Sequence, residues 1–414
     1  MHPHQHDKNS SSKRPIRTPV YDLNERPFMV IWETTMACDL ACRHCRAEAI
    51  AERDPLSLST EEGKMLLDQI ESFGKPRPLV ILTGGDPFKR EDIFELVAYG
   101  TEIGLPIAVS PSGTPLLTRD NLVRLKEAGA KAISLSIDGS TPELHDNFRQ
   151  VPGSFQMTVD GWKAAREIGL KLQLNTTVTR YNLHDLPNIF RLVQDIGLMT
   201  WSVFFLVPTG RGKMEDEVTP EEYEDVMNWL YDTSKLMGVK TTEGHHYKRV
   251  VLQRSLLDEK GLDPVETLGL GDTYQSLMAD FERVADFSNA RLVEEDRMRR
   301  PPMHINAGNG FVFISRRGEV FPSGFMPVSG GNIRERSLVS IYRYAPLFND
   351  LRDPNMLEGK CGICEFKHVC GGSRSRAYAV TGQPLAEEPF CVYEPGSFPY
   401  LRDLAPWLRT PVEA

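Results

Sequence analysis

The chain has 414 residues, enough for two or three domains around a large core. Its 48 basic and 57 acidic side chains leave a net charge of −9, which argues against bulk electrostatic binding of nucleic acid. No apolar run approaches the roughly 20 residues that span a bilayer, so neither a membrane nor a nucleic-acid partner is expected.

Residues 1–26 read as a disordered polar tail. Met1 to Arg17 is rich in His, Ser and Lys and lacks the apolar centre of a signal peptide, and His2, His4 and His6 could bind metal adventitiously. A cytoplasmic location is expected, where clustered cysteines indicate metal or redox chemistry rather than disulfides. The seven cysteines fall into two sets, one at Cys38, Cys42 and Cys45, the other at Cys361, Cys364, Cys370 and Cys391. That distribution suggests two metal centres on two domains.

From Phe28 to Leu206, short apolar runs alternate with amphipathic stretches. The expected strands are Phe28–Glu33, Leu79–Thr83, Ile107–Ser110, Ala132–Ile137, Lys171–Val178 and Trp201–Val207. Ser59-Thr-Glu-Glu62 reads as a capping box ahead of Met65, Leu66, Leu67 and Ile70. Further helices are expected over about Arg90–Ile103, Arg119–Ala128, Phe155–Ile168 and Leu183–Ile196. Gly74, Gly104, Gly129, Gly169 and Gly197 stand where helices should end. Six βα units predict an α/β fold: a partial (βα)6 TIM-like barrel over residues 27–212, with ligands gathered at the C-terminal strand ends. Residues 213–300 read as a helical, charged insertion, with a loop over Gly261–Asp272 and a solvated helix face at Arg291–Arg300. Residues 301–400 change texture: Gly310–Phe321 reads as a β-hairpin turning at Arg316–Gly318, and cysteine-rich loops follow in a separate auxiliary domain. Residues 401–414 read as a tail.

The first cysteine set reads Cys38-Asp-Leu-Ala-Cys42-Arg-His-Cys45. Three thiolates can hold three corners of a [4Fe–4S] cube and leave one iron without a protein ligand, unlike electron carriers held by four. A zinc site with His44 as fourth ligand is the competing assignment. The second set reads Cys361-Gly-Ile-Cys364-Glu-Phe-Lys-His-Val-Cys370, with Cys391 later. Its four thiolates suit a closed cluster or a zinc equally on spacing.

CxxxCxxC after the first strand resembles the radical SAM superfamily, where S-adenosylmethionine (SAM) completes the open iron. The resemblance extends to strand ends. Gly84-Gly85-Asp86-Pro87 is similar to the family's "GGE" motif, which binds the SAM amino group, although Asp86 reaches one methylene less than Glu. Ser134-Leu-Ser136-Ile-Asp138-Gly139 resembles the segment whose Ser and Asp lie near the SAM ribose or carboxylate. Asn175-Thr176-Thr177 matches a ribose-contacting position, and Val207-Pro208-Thr209-Gly210-Arg211-Gly212 a stretch that meets adenine through its backbone. The second cysteine set resembles the SPASM or Twitch extension and implies one auxiliary [4Fe–4S] cluster. Ile305–Gly308, Pro322-Ser323 and Ser373-Arg374 stand where a fuller SPASM domain has further cysteines, so a Twitch-like domain is implied.

Longer segments resemble the heme-biosynthesis branch, which includes SAM-dependent heme synthases and heme d1 relatives. They are Phe28–Thr35, Cys45-Arg-Ala, Phe148–Phe155, Asn175–Thr179, Phe204–Gly212 and Pro322–Phe325. The resemblance implies an oxidoreductase that forms a 5′-deoxyadenosyl radical and decarboxylates two propionates of Fe-coproporphyrin III to vinyls. It implies an iron-porphyrin substrate and a low-potential electron donor such as a flavodoxin or ferredoxin. His245, His246 and Tyr247 are candidates for an axial ligand or proton donor, against a plain surface reading. Arg149, Arg211, Arg374 and Arg376 are candidate propionate partners, since Arg binds carboxylates bidentately. A SPASM-type peptide maturase is the alternative, lowered because the stretch before Phe28 has no room for a winged-helix recognition domain.

Overall fold

The computed structural model describes residues 15–17, 19, 21–47, 49–196, 200–288, 301 and 304–408. Apolar alternation produces the central sheet. Its strands are β1 (Met29–Thr35), β2 (Leu79–Gly84), β3 (Ile107–Val109), β4 (Ala132–Ser136), β5 (Lys171–Val178), β6 (Thr200–Phe205) and β7 (Val239–Thr242). Each pairs in parallel with the next. The crossover helices are α1 (Thr60–Glu71), α2 (Ile93–Glu102), α3 (Arg119–Glu127), α4 (Pro142–Arg149), α5 (Ser154–Glu167), α6 (Leu186–Ile196) and α7 (Pro220–Thr233). The Ser59–Glu62 capping box is present at α1. Val30, Leu82, Ile133, Leu174 and Val203 are buried in the core beside Leu66, Leu96, Ala165 and Ile189 of the helices, which fits a sheet covered by its crossovers.

The open half-barrel expected from sequence is therefore present, one strand longer. β7 lies inside the segment read as a helical, charged insertion. Helices α8 (Tyr247–Lys260), α9 (Pro264–Leu268) and α10 (Asp272–Val284) follow it, and α9 occupies the expected loop. The stretch Arg291–Arg300 and the expected cap Gly197 lie outside the described residues.

At the other edge, β8 (Asn306–Ala307), β9 (Gly310–Ile314) and β10 (Val320–Phe321) complete the sheet. The expected hairpin is β9–β10. β9 also pairs in parallel with β1, from Met29↔Phe311 to Trp32↔Ile314, so residues after 301 extend the sheet rather than standing apart. Residues read as tails are packed too: Ile16, Leu23 and Leu404 are buried. Among the described residues no helix is long and apolar enough to cross a membrane.

Candidate active site

The loop after β1 carries Cys38, Cys42 and Cys45 at the C-terminal edge of the sheet. Neighbouring strand ends clasp its backbone. Gly85 N–H donates to Thr35 O at 2.8 Å and Asp86 N–H to Ala37 O at 2.7 Å. A Cβ on Gly84 would lie 2.1 Å from Thr35 O, and one on Gly85 would lie 2.4 Å from Ala37 O. Only glycine permits this approach. From the β6 side, Arg211 N–H donates to Cys45 O at 3.0 Å, and a Cβ on Gly210 would lie 2.5 Å from Cys45 O. The end of α4 closes a third side, with Ala41 N–H on Arg149 O and Arg43 N–H on Phe148 O.

The thiols have donors suited to thiolate or cluster sulfur. Leu40 N–H reaches Cys38 Sγ at 3.4 Å, and Arg149 Nη1 reaches Cys42 Sγ at 3.5 Å. Burial pushes the Cys42 thiol up, and the charge of Arg149 opposes that rise. His44 stacks on Phe148 with centroids 4.7 Å apart, and its buried Nδ1 has no partner among the described residues. Burial and the charge of Arg149 lower His44 to about 4, so its ring stays neutral at pH 7.

The strand-end residues divide. Asp86 is fully buried, and both its oxygens already accept hydrogen bonds: Oδ2 from Thr114 Oγ1 at 2.6 Å, Oδ1 from Phe88 N–H at 3.2 Å and Ser112 N–H at 3.4 Å. Its carboxylate braces the loop in which Pro87 opens a 3-10 turn. Asp138 is likewise committed, ion-paired to Arg149 and accepting from Thr177 N–H at 2.8 Å. Burial, the largest influence, would raise its pKa, but Arg149 together with His44, His145 and the Thr177 N–H holds it below the usual value. Thr176 faces away from the barrel mouth: strand alternation puts it in the core, where Oγ1 donates to Ile137 O and accepts from Trp201 Nε1. Ser136, Asn175, Pro208 and Thr209 remain partly exposed at their strand ends.

The four candidate arginines also divide. Arg149 bridges Asp138 and Cys42 and is not free for a propionate. Arg374 donates to Pro384 O, Ala386 O and Cys361 Sγ. Arg376 is fully buried, on Glu388 at 3.2 Å and on Leu206 O at 3.0 Å. Arg211 differs, because its buried Nε and Nη2 have no hydrogen-bond partner among the described residues.

Cys361, Cys364, Cys370 and Cys391 line one cavity with His246, Arg249 and Glu388, holding about 450 Å³ of atom-free space including its mouth. Backbone N–H groups reach three of the thiols: Glu388 to Cys361 at 3.3 Å, Phe366 to Cys364 at 3.4 Å and Gly372 to Cys370 at 3.3 Å. Burial pushes the Cys364 thiol up to about 12.

The Glu243–Tyr247 segment, which sequence leaves open as surface, is largely internal. His246 lines the cavity. Tyr247 is a core residue of α8 whose hydroxyl reaches Leu230 O at 3.4 Å, so it cannot serve as a proton donor to substrate. His245 is half-buried 4.0 Å from Glu243, and burial with Lys248 and Arg374 nearby holds it well below the usual histidine range. Glu243, at φ 57°, was not singled out by sequence. Its carboxylate accepts from Ser323 at 3.1 Å, Ser375 at 2.9 Å and Ser373 at 2.5 Å. Ser323 and Ser373 are two of the positions where a fuller SPASM domain has cysteines, and they converge here on a carboxylate.

Residues 32–193 match the Radical SAM superfamily profile. Over 377 residues the chain is 40% identical to the AdoMet-dependent heme synthase of Methanosarcina barkeri, covering 90% of this chain and 99% of that protein. It is 41% identical over 375 residues to the AdoMet-dependent heme synthase of Oleidesulfovibrio alaskensis, covering 90% and 88%. Its fold is similar to that of Streptococcus suis SuiB bound to the precursor peptide SuiA, with a TM-score of 0.62 over 89% of this chain and 76% of that one, at 16% identity.

Proposed function

The chain belongs to the radical SAM superfamily, and on that premise we propose that it oxidatively decarboxylates two propionates of Fe-coproporphyrin III to vinyls, giving heme b. The observation that carries this is the three-thiol loop clasped by the ends of β2, β6 and α4, in a chain about 40% identical to heme synthases over nine-tenths of its length.

Cys38, Cys42 and Cys45 would hold a [4Fe–4S] cluster with SAM. When reduced, this group supplies the 5′-deoxyadenosyl radical that abstracts hydrogen from a propionate β-carbon. The protein's own work is placement and charge. Leu40 N–H and Arg149 offset negative charge on Cys38 and Cys42, which favours the thiolate over the thiol. Gly84, Gly85, Asp86 and Pro87 fix the loop's height at the sheet edge. Ser136, Asn175, Pro208 and Thr209, half open at the strand ends, are assigned to SAM. Asp138 and Thr176 act behind them, as the Arg149 anchor and the core support of β5. Arg211 is assigned to a substrate propionate, since its backbone is bonded to Cys45 O and its guanidinium Nε and Nη2 have no partner among the described residues.

Cys361, Cys364, Cys370 and Cys391 fit an auxiliary [4Fe–4S] cluster: four thiols around one cavity, three with backbone N–H donors as cluster sulfurs favour. It would take the electron released when CO2 leaves. A flavodoxin or ferredoxin is the proposed external donor.

The test is anaerobic turnover with SAM, reductant and Fe-coproporphyrin III carrying labelled propionate carboxyls. Two labelled CO2 per porphyrin are expected from protein holding about eight irons. SAM cleavage with the label retained on the porphyrin would overturn the reaction.

A further inference from the structure

His246 is 1% exposed at the start of α8, and neither ring nitrogen has a hydrogen-bond partner among the described residues. An imidazole carries at least one N–H in any protonation state, and a buried donor without an acceptor is unfavourable. The ring's position supplies a reason: it lines the cavity of Cys361, Cys364, Cys370 and Cys391.

Of the neighbouring cations, Arg374 Nη2 already reaches Cys361 Sγ at 3.6 Å, while Arg249 and Lys248 are engaged elsewhere. Arg249 lines the same cavity, but its Nη atoms donate to Glu224 at 2.8 and 2.5 Å and to Gln253 at 2.7 Å. Lys248 Nζ donates to Ile305 O at 2.7 Å. Cys361, Cys364 and Cys370 take backbone N–H groups. His246 is therefore a cavity-lining side chain with donor capacity to give.

We infer that a ring N–H of His246 hydrogen-bonds to a sulfur of the four-cysteine iron–sulfur cluster and raises that cluster's reduction potential. This rests on the cluster assignment above. The reduced cluster carries one more negative charge than the oxidised one, so an N–H directed at its sulfur stabilises the reduced state more. The direction suits the reaction. After hydrogen abstraction, the propionate loses CO2 with the C–C bond, forms C=C, and must release one electron. A higher potential at the cluster makes it the better acceptor of that electron. His246 is thus a tuning residue, touching neither SAM nor porphyrin.

The test uses the full chain with Cys38→Ala, Cys42→Ala and Cys45→Ala, reconstituted anaerobically so that one cluster remains for an EPR-monitored redox titration. His246→Leu should lower its potential at unchanged iron content. His246→Asn and His246→Gln place an amide N–H near Nδ1 and Nε2, and one of them should hold the potential close to the parent. As a second reading, 15N-histidine labelling of the parent should show nitrogen coupling to the reduced cluster, lost in His246→Leu. Zinc, or no iron, in the parent would overturn the cluster assignment itself. Four irons with no nitrogen coupling would overturn the inference alone, as would four irons with an unmoved potential in His246→Leu. If His246→Leu does not fold, the coupling in the parent decides.

Discussion

The two cysteine sites are built on opposite plans. The triplet sits on a loop at the C-terminal edge of the sheet, where three strand or helix ends hold its backbone. The four-cysteine site is a cavity walled by α8 and the C-terminal loops, with N–H groups on its thiols and a buried histidine facing in. The difference teaches that thiolate count and access divide the labour: an open iron can meet a substrate, whereas a four-thiolate cluster can only pass charge. The proposed assignment rests that division on three cysteines at the first site and four at the second.

The largest effect should come from breaking the first plan. Cys42→Ala removes one of the three proposed cluster ligands, and 5′-deoxyadenosine release should fall by more than about 10³-fold, measured chromatographically under reductant. Next is the charge behind that ligand. Arg149→Leu leaves Asp138 buried without its ion pair and should cost about 3–5 kcal/mol in urea unfolding; adding Asp138→Leu should return part of it. Smaller is the proposed substrate contact. Arg211→Ala should raise KM for Fe-coproporphyrin III about 10–100-fold with kcat little changed, the scale of one charged hydrogen-bond group.

The smallest concerns the seam between the regions. Arg317 and Arg316 beside Asp54 hold its carboxyl well below the usual carboxylate range. A depressed carboxyl stabilises the fold above its unfolded pKa of about 3.9, and that contribution fades as pH falls through the folded value. Asp54→Asn should cost about 1–2 kcal/mol at pH 7, since Arg317 is half-exposed, and should flatten the stability loss below about pH 4, read by denaturant midpoints.

What the sequence made legible is local. The expected strand Lys171–Val178 coincides with β5 to the residue, and the other five expected strands agree within a residue or two, because apolar runs mark them. β7 escaped because Val239–Thr242 is four residues with one apolar side chain. The β9–β10 hairpin follows from its turn, but the pairing of β9 with β1 joins residues some 280 apart and leaves no local trace. The site behaves alike. Cysteine spacing announces both sets. The Arg149–Cys42 contact, the convergence of Ser323, Ser373 and Ser375 on Glu243, and the burial of His246 are made by folding, so residue type alone misassigned Arg149, Arg374, Arg376 and Tyr247.

The division of labour is tested most directly by Cys364→Ala, assayed for 5′-deoxyadenosine and for porphyrin mass in one anaerobic reaction. The account predicts that SAM is still cleaved at the intact triplet while vinyl product is lost. Full conversion to heme b by this variant would contradict it.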